Sequence, residues 1–207
     1  MVSSTTAVGK SWAGELGRLS ERLSQTVKGE PTTLLHRAQK GDSYAIERLI
    51  ELYQDTIFSM ALSFTKNSHQ AEDLAQEAWI KILRGLPRFR HDSKFSTWIY
   101  RVTMNSFLNA TRAQKREQEV VGGLKAPEER AEGVGAKVDT ALDVQEAVRA
   151  LPAEFRSVLL LRYVADLSYK EVASVLELPL GTVQSRLKRA LDKLGNQLGH
   201  QGYPLPE

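Results

Sequence analysis

The strongest constraint on the fold of this chain lies near its C-terminal end. It is Ser168-Tyr-Lys-Glu171, an apolar run, then Pro179-Leu-Gly-Thr-Val-Gln-Ser-Arg-Leu-Lys-Arg189. Ser168 can cap a helix while Glu171, three residues on, caps back, so that two orphan backbone donors are satisfied. Val172, Ala173, Val175 and Leu176 give that short helix an apolar side, and small Ala173 allows close approach of a neighbour. Pro179 and Gly181 read as the turn. The second helix then buries Val183, Leu187, Ala190, Leu191 and Leu194 and keeps polar and basic residues in its N-terminal half. A capped helix, a tight turn and a basic second helix are the layout of a helix-turn-helix, whose second helix enters the DNA major groove. Gln184 suits adenine and Arg186 guanine. Lys188 and Arg189 suit phosphates, which position a helix without reading sequence.

The rest of the chain is also helical in rhythm. From Ser43, apolar side chains recur at Ile46, Leu49, Ile50, Tyr53, Ile57, Met60, Ala61 and Phe64, the three- and four-residue step of a buried helix face. A turn at 66–68 precedes a helix carrying Leu74, Ala75, Ala78, Ile82 and Leu83, which ends before Gly85 and Pro87. A third helix is expected from about Ser96 to Arg112, with Trp98, Ile99 and Val102 inward. No strand-like alternation is evident. The expected fold is all-α.

Charge divides the chain. Residues 84–116 hold eight basic side chains against the single acid Asp92, whereas 117–146 hold eight acids against three bases. The second stretch also contains Gly122, Gly123, Pro127, Gly133 and Gly135 and loses apolar rhythm. It reads as a flexible linker over 117–142. Two small helical domains result, 33–116 and 143–199, with a tail at 200–207. Residues 1–32 place Trp12, Leu16, Leu19, Leu23 and Val27 on one stripe, interrupted by Gly14 and Gly17. That segment reads either as an amphipathic docking helix or as a disordered tail.

Composition excludes several classes. There is no cysteine, and His36, His69, His91 and His200 are scattered, so no metal centre and no cofactor is expected. No apolar run approaches the roughly 20 residues that span a bilayer, and the polar start argues against a secretory signal. A cytoplasmic protein with no membrane insertion of its own is expected. Asp73 with Glu77 is the one tempting carboxylate pair, but it lacks a phosphate-binding loop or histidine partner, so no catalytic residues and no enzyme activity are expected.

Two features of the first domain bear on role. In Ala71-Glu-Asp-Leu-Ala-Gln-Glu-Ala-Trp-Ile-Lys-Ile-Leu83, residues Asp73, Gln76, Glu77 and Ile80 share one face. An acidic and amide face on a basic domain suits protein docking better than DNA. After Phe89, a polar loop from Arg90 to Lys94 leads into an aromatic-rich helix, along which Arg101, Asn105, Asn109 and Arg112 line up. Rings stack on unpaired bases, amides read their edges and arginines hold the backbone, so this segment suits single-stranded DNA. Trp98 and Phe95 have an equally good reading as core.

With these segments in order, the chain resembles a bacterial group 4 sigma factor, the extracytoplasmic-function (ECF) class of the sigma-70 family. The resemblance rests on Asp73-Leu-Ala-Gln-Glu-Ala-Trp-Ile80, on Phe89-Arg-His-Asp-Ser-Lys-Phe-Ser-Thr-Trp-Ile-Tyr-Arg101, and on Leu151-Pro-Ala-Glu-Phe-Arg156 with the helix-turn-helix. It covers about 33–112 and 143–198, with a short acidic linker where other sigma factors carry a third domain. It implies a promoter-specificity subunit of RNA polymerase that aids strand opening. Asp73, Gln76, Glu77 and Ile80 would meet the β′ clamp helices of the core enzyme. The −10 promoter element would fall to His91, Asp92, Ser93, Thr97, Trp98, Tyr100, Arg101, Asn105 and Asn109. The −35 element would fall to Thr182, Gln184, Ser185, Arg186, Lys188 and Arg189, in a domain that also contacts the β flap. An anti-sigma factor is the further partner it implies. His91 stands where a glycine is more usual, and Trp79 where phenylalanine is common. A stand-alone repressor or activator is the alternative on the helix-turn-helix alone, and would need a palindromic site.

Overall fold

The computed structural model describes residues 32–65, 67–121 and 140–198. Among them are eight α-helices: α1 (Thr32–Gln39), α2 (Ser43–Phe64), α3 (Ser68–Gly85), α4 (Phe95–Val121), α5 (Thr140–Ala150), α6 (Ala153–Tyr163), α7 (Tyr169–Leu176) and α8 (Leu180–Gln197). A 3-10 turn, Leu86–Arg88, joins α3 to the loop before α4. Residues 1–31, the centre of the expected linker at 122–139, and 199–207 lie outside the described residues, so the stripe from Trp12 to Val27 does too.

Capping residues set the starts of α2 and α3. Asp42 accepts from the Ala45 N–H at 3.1 Å and Asn67 from the Gln70 N–H at 2.9 Å, each satisfying a donor that the first helical turn cannot. The apolar rhythm then turns Leu49, Tyr53, Ile57 and Met60 of α2 and Leu74, Ala78 and Ile82 of α3 inward. α4 packs against both. An aromatic cluster fixes its first turns: Phe95 stacks on Trp98 with centroids 5.5 Å apart, and Tyr53 meets Phe95 and Tyr100 edge-on at 5.9 Å. Gly85 is required here by close approach, because a Cβ would lie 2.9 Å from the Trp98 ring.

In the second unit α8 packs on α6 and α7, burying Val158, Leu161, Val172, Val183, Leu187 and Leu194. The buried side chains of both units form one hydrophobic cluster. α5 and α6 lie against the end of α2, and α6 and α7 against α4.

Helix α1 went unpredicted, and three local expectations need correction. α1 was not visible in the apolar pattern, since eight residues show barely two turns. α4 runs to Val121 rather than stopping near Arg112, because 113–121 contain no helix breaker. The linker's edges, 117–121 and 140–142, are helical. The turn of the helix-turn-helix is not made by Gly181, which sits inside α8 with open space around its α-carbon. Glu177 makes it, in the left-handed conformation at φ 55° and ψ 44°.

Candidate nucleic-acid interface

The helix-turn-helix begins with the capping box its sequence announced. Ser168 Oγ accepts from the Glu171 N–H at 3.3 Å, and Glu171 Oε2 accepts from the Ser168 N–H at 2.9 Å. After the Glu177 turn, Pro179 precedes the first residue of α8. Thr182 is half-buried, and Gln184, Ser185, Lys188 and Arg189 are exposed on one side of the helix. They form an open polar face at the helix's N-terminal half, the part a recognition helix presents to base edges. Arg186 is placed differently. Its guanidinium points at Glu154 of α6, 3.4 Å away, and it lines a cleft of about 390 Å³ with Arg112, Leu108 and Leu178.

On α3, Asp73, Gln76, Glu77 and Ile80 are all exposed. Ile80, 48% accessible, is a large apolar side chain left in solvent, and Leu83 follows it one turn on. An exposed aliphatic rimmed by acids and amides has the make-up of a protein-docking patch. Asp73 and Glu77 also line a cleft of about 480 Å³ that reaches Phe64, Gln114, Arg149 and Arg156.

The loop between Phe89 and α4 is held from outside. Gln39, the last residue of α1, donates to the Leu86 and Phe89 carbonyls at 3.2 and 2.8 Å. Its Oε1 lies 3.1 Å from His91 Nε2. His91 takes a left-handed backbone, φ 59°, the conformation glycine adopts at least cost. Its ring lies 4.8 Å from that of Phe89. The Gln39 contact and this ring contact hold a residue type that the backbone alone would disfavour. Asp92 is exposed and Ser93 partly so.

Of the residues expected on the α4 surface, Asn105 and Asn109 are exposed, Arg112 with them, and Trp98 and Arg101 are half-buried. Thr97 and Tyr100 are 4% and 1% accessible and belong to the core. These two expectations are corrected. α4 packs against α2 and α3, and the Tyr100 ring turns inward to meet Tyr53 of α2 edge-on. Thr97 and Tyr100 support the surface from beneath.

Two arginines join the units. Arg149 Nε donates to the Leu62 carbonyl at 2.9 Å, and Arg156 NH1 to the Ser63 carbonyl at 2.9 Å. Arg156 NH2 also donates to the Arg149 and Leu151 carbonyls, and its guanidinium lies 5.0 Å from the Phe64 ring centre. The last turn of α2 holds no basic residue; its Leu62 and Ser63 carbonyls accept from α5 and α6, and its Ala61 carbonyl from the Thr65 hydroxyl at 3.0 Å. Burial, with the nearby charge of Arg149, pushes the Arg156 pKa down to about 10. It remains charged at neutral pH. No sequence pattern singled out Gln39, Arg149 or Glu177, and Arg156 entered only as the end of the Leu151–Arg156 motif, with no role attached, because its contact with the end of α2 joins segments far apart in the chain.

The profile for sigma-70 region 2 matches residues 49–117, and that for sigma-70 region 4 matches 141–194. The RNA polymerase sigma-H factor of Pseudomonas aeruginosa is 34% identical over 177 residues, 80% of this chain and 92% of that protein. The ECF RNA polymerase sigma factor SigW of Bacillus subtilis is 34% identical over 79% of this chain and 94% of its own. The ECF sigma-E factor of Escherichia coli is 32% identical over 87% and 97%. Among solved structures, the sigma factor RpoE of Bartonella quintana, determined with the anti-sigma factor NepR, superposes with a TM-score of 0.63 at 22% identity. It covers 75% of this chain and 98% of that one. CnrH, determined with the cytosolic domain of CnrY, gives 0.60 at 22% identity over 82% and 97%.

Proposed function

Since this chain belongs to the ECF class of the sigma-70 family and is an RNA polymerase sigma factor, we propose how its surfaces divide the work. Residues 33–116 bind the core enzyme and the −10 element, and 143–199 bind the −35 element. Residues 117–142 join them. The observation that carries this reading is that three chemically distinct surfaces lie on three different helices of one chain.

The α3 face of Asp73, Gln76, Glu77 and Ile80 docks on the β′ clamp helices. Ile80 supplies apolar area there, and the carboxylates supply charge that double-stranded DNA would repel. His91, Asp92, Ser93, Trp98, Arg101, Asn105 and Asn109 take the −10 element as it opens. The protein thereby captures strands that separate rather than breaking them. Thr97 and Tyr100 position that surface. On α8, Thr182, Gln184, Ser185, Lys188 and Arg189 meet the −35 duplex. Arg186 joins them only if it leaves Glu154. The flap contact belongs to the same domain.

The protein contributes no catalysis of its own in this reading and acts in the cytoplasm, where the polymerase works. Among the described residues no helix is long and apolar enough to cross a membrane. An anti-sigma factor is its expected inhibitor, covering the region around Asp73–Leu83 and α8. Both superposed proteins were determined with a partner chain, and the RpoE partner is an anti-sigma factor.

Co-purification with core polymerase tests the docking assignment. Ile80→Asp should abolish capture of the core enzyme while leaving the helical spectrum unchanged. Retention of capture by that variant, and by Asp73→Lys, would place the docking surface elsewhere.

A further inference from the structure

The turn between α1 and α2 lies beside the loop proposed for the −10 element. Gln39, at the end of α1, donates to the Leu86 and Phe89 carbonyls and faces His91 at 3.1 Å. Tyr44, the second residue of α2, follows on the other side of the turn. Its side chain is 61% accessible, more than any other large apolar side chain among the described residues.

The ring has a fixed neighbour. The Arg37 guanidinium lies 5.8 Å from its centre, within cation–π range. That guanidinium is itself held, because Nε and NH2 both reach Asp42 Oδ2 at 2.7 Å. The other oxygen of Asp42 caps α2, accepting from the Ala45 N–H at 3.1 Å. The bond from Ala45 and then that from Arg37 hold the Asp42 carboxyl below its usual range, so it is charged at neutral pH. Gly41, at φ 85°, lets the chain reverse between the helices. Cap, carboxylate, guanidinium and ring form one connected set, and a ligand loses little by ordering what is already ordered.

We propose that Tyr44, steadied by Arg37, is a stacking site for one unpaired promoter base, next to the −10 bases and downstream of them. An aromatic face takes any base, and a guanidinium beside it can meet the strand's phosphate. Among the described residues Arg37 NH1 has no acceptor. Charge is balanced around the turn: Arg37 pairs with Asp42, Arg48 pairs with Glu51, and exposed Lys40 offsets exposed Glu47. The contact therefore runs through the ring rather than through a basic field. No other large apolar side chain of α1 or α2 is exposed, and a solitary ring suits a single base better than a protein patch, which gathers several. The downstream side follows from connectivity. The unit proposed for the −35 element is joined to the C-terminal end of α4, so upstream DNA lies toward that end. His91 and then Tyr44 continue the surface the opposite way.

The inference rests on the −10 assignment, and an abasic scan separates the two. The full chain with core polymerase is bound to a promoter fragment recovered by run-off transcription, its −10 region held open by mismatches. Abasic sites are placed one at a time along the non-template strand. Affinity should fall about fivefold or more at bases of the −10 element, and again at one base directly downstream. Tyr44→Ala should weaken binding of the intact strand by a similar factor and erase the downstream penalty alone. Tyr44→Phe keeps the ring and should restore both, and circular dichroism checks the fold of each variant. A downstream penalty that survives in Tyr44→Ala, or that is missing from the wild type, would overturn the site. Loss of core-polymerase binding by Tyr44→Ala without DNA would overturn it too, since the ring would then be a protein contact. Failure of the −10 reading looks different: penalties within that element would not depend on His91 or Asn105, and the stacking site would fall with it.

Discussion

Gln39 and His91 face each other at 3.1 Å, Oε1 against Nε2, across 52 positions of sequence. The same glutamine amide donates to the Leu86 and Phe89 carbonyls. One side chain at the end of α1 thus holds the loop that leads into α4, the surface proposed for the −10 element, and His91 there has a left-handed backbone.

Removing that clip should loosen the loop more than it destabilises the fold. Gln39→Ala breaks hydrogen bonds worth about 1 kcal/mol each, so a loss of about 1–2 kcal/mol in denaturant unfolding is expected. Hydrogen exchange at 89–93 should rise several-fold while α8 is unaffected. His91→Gly relieves the backbone but loses the glutamine contact, and should be close to neutral in stability.

Arg156 should matter more. It is costly to bury, yet three carbonyls depend on it, and stripping a buried acceptor of its partner costs about 1–3 kcal/mol. Arg156→Met should lower stability by about 2–3 kcal/mol in urea unfolding. It should also uncouple the two units, giving a broader transition, because Arg156 ties the end of α2 to α5 and α6.

Glu177 carries a different strain. Its φ of 55° costs a non-glycine residue about 1 kcal/mol. Glu177→Gly should raise thermal stability by about that amount, whereas Gly181→Ala, at an open helical position, should gain about as much from helix propensity. Loss of stability in Glu177→Gly would mean that its pairing with Arg101 outweighs the strain.

Acid should act through Glu171. Its folded pKa is depressed, so its contribution is present above the ordinary value of 4.5 and is lost as pH falls through the folded value. The groups facing the carboxylate are Lys94 from the start of α4 and Ser168 of its own cap. Lys94 stays charged throughout that range. Thermal stability should therefore be flat from about pH 6 to 8 with respect to this group and should fall below about pH 4.5. Glu171→Gln should lose less over the same acid range.

Five of the helices, α2, α3, α4, α7 and α8, with their order and the cap at Ser168, were legible because each follows from local spacing. Apolar steps of three and four residues mark a buried face wherever the chain folds. The polar faces of α3 and α8 were legible for the same reason. What escaped was set by partners far away. Thr97 and Tyr100 lie on the polar-aromatic segment that suits unpaired bases, yet they are interior: the Tyr100 ring turns inward to meet Tyr53 of α2 edge-on, a partner far away in the sequence. Glu177 replaced Gly181 as the turn residue because the chain reverses before Pro179, and a glutamate gives no local sign of a left-handed backbone. The roles of Arg149 and Arg156 escaped because the carbonyls they serve at the end of α2 lie 87 and 93 positions away in the sequence.

The central claim is that this chain directs polymerase through two separate DNA grips. Run-off transcription with purified core polymerase on genomic fragments tests it most directly. Discrete start sites should appear only when the protein is present, each preceded by two common sequence elements at a fixed spacing. Asn105→Ala should weaken initiation through the element nearer the start, and Gln184→Ala through the farther one. Transcription that is the same with and without the protein, or equal promoter affinity of the protein with and without core polymerase, would contradict the account.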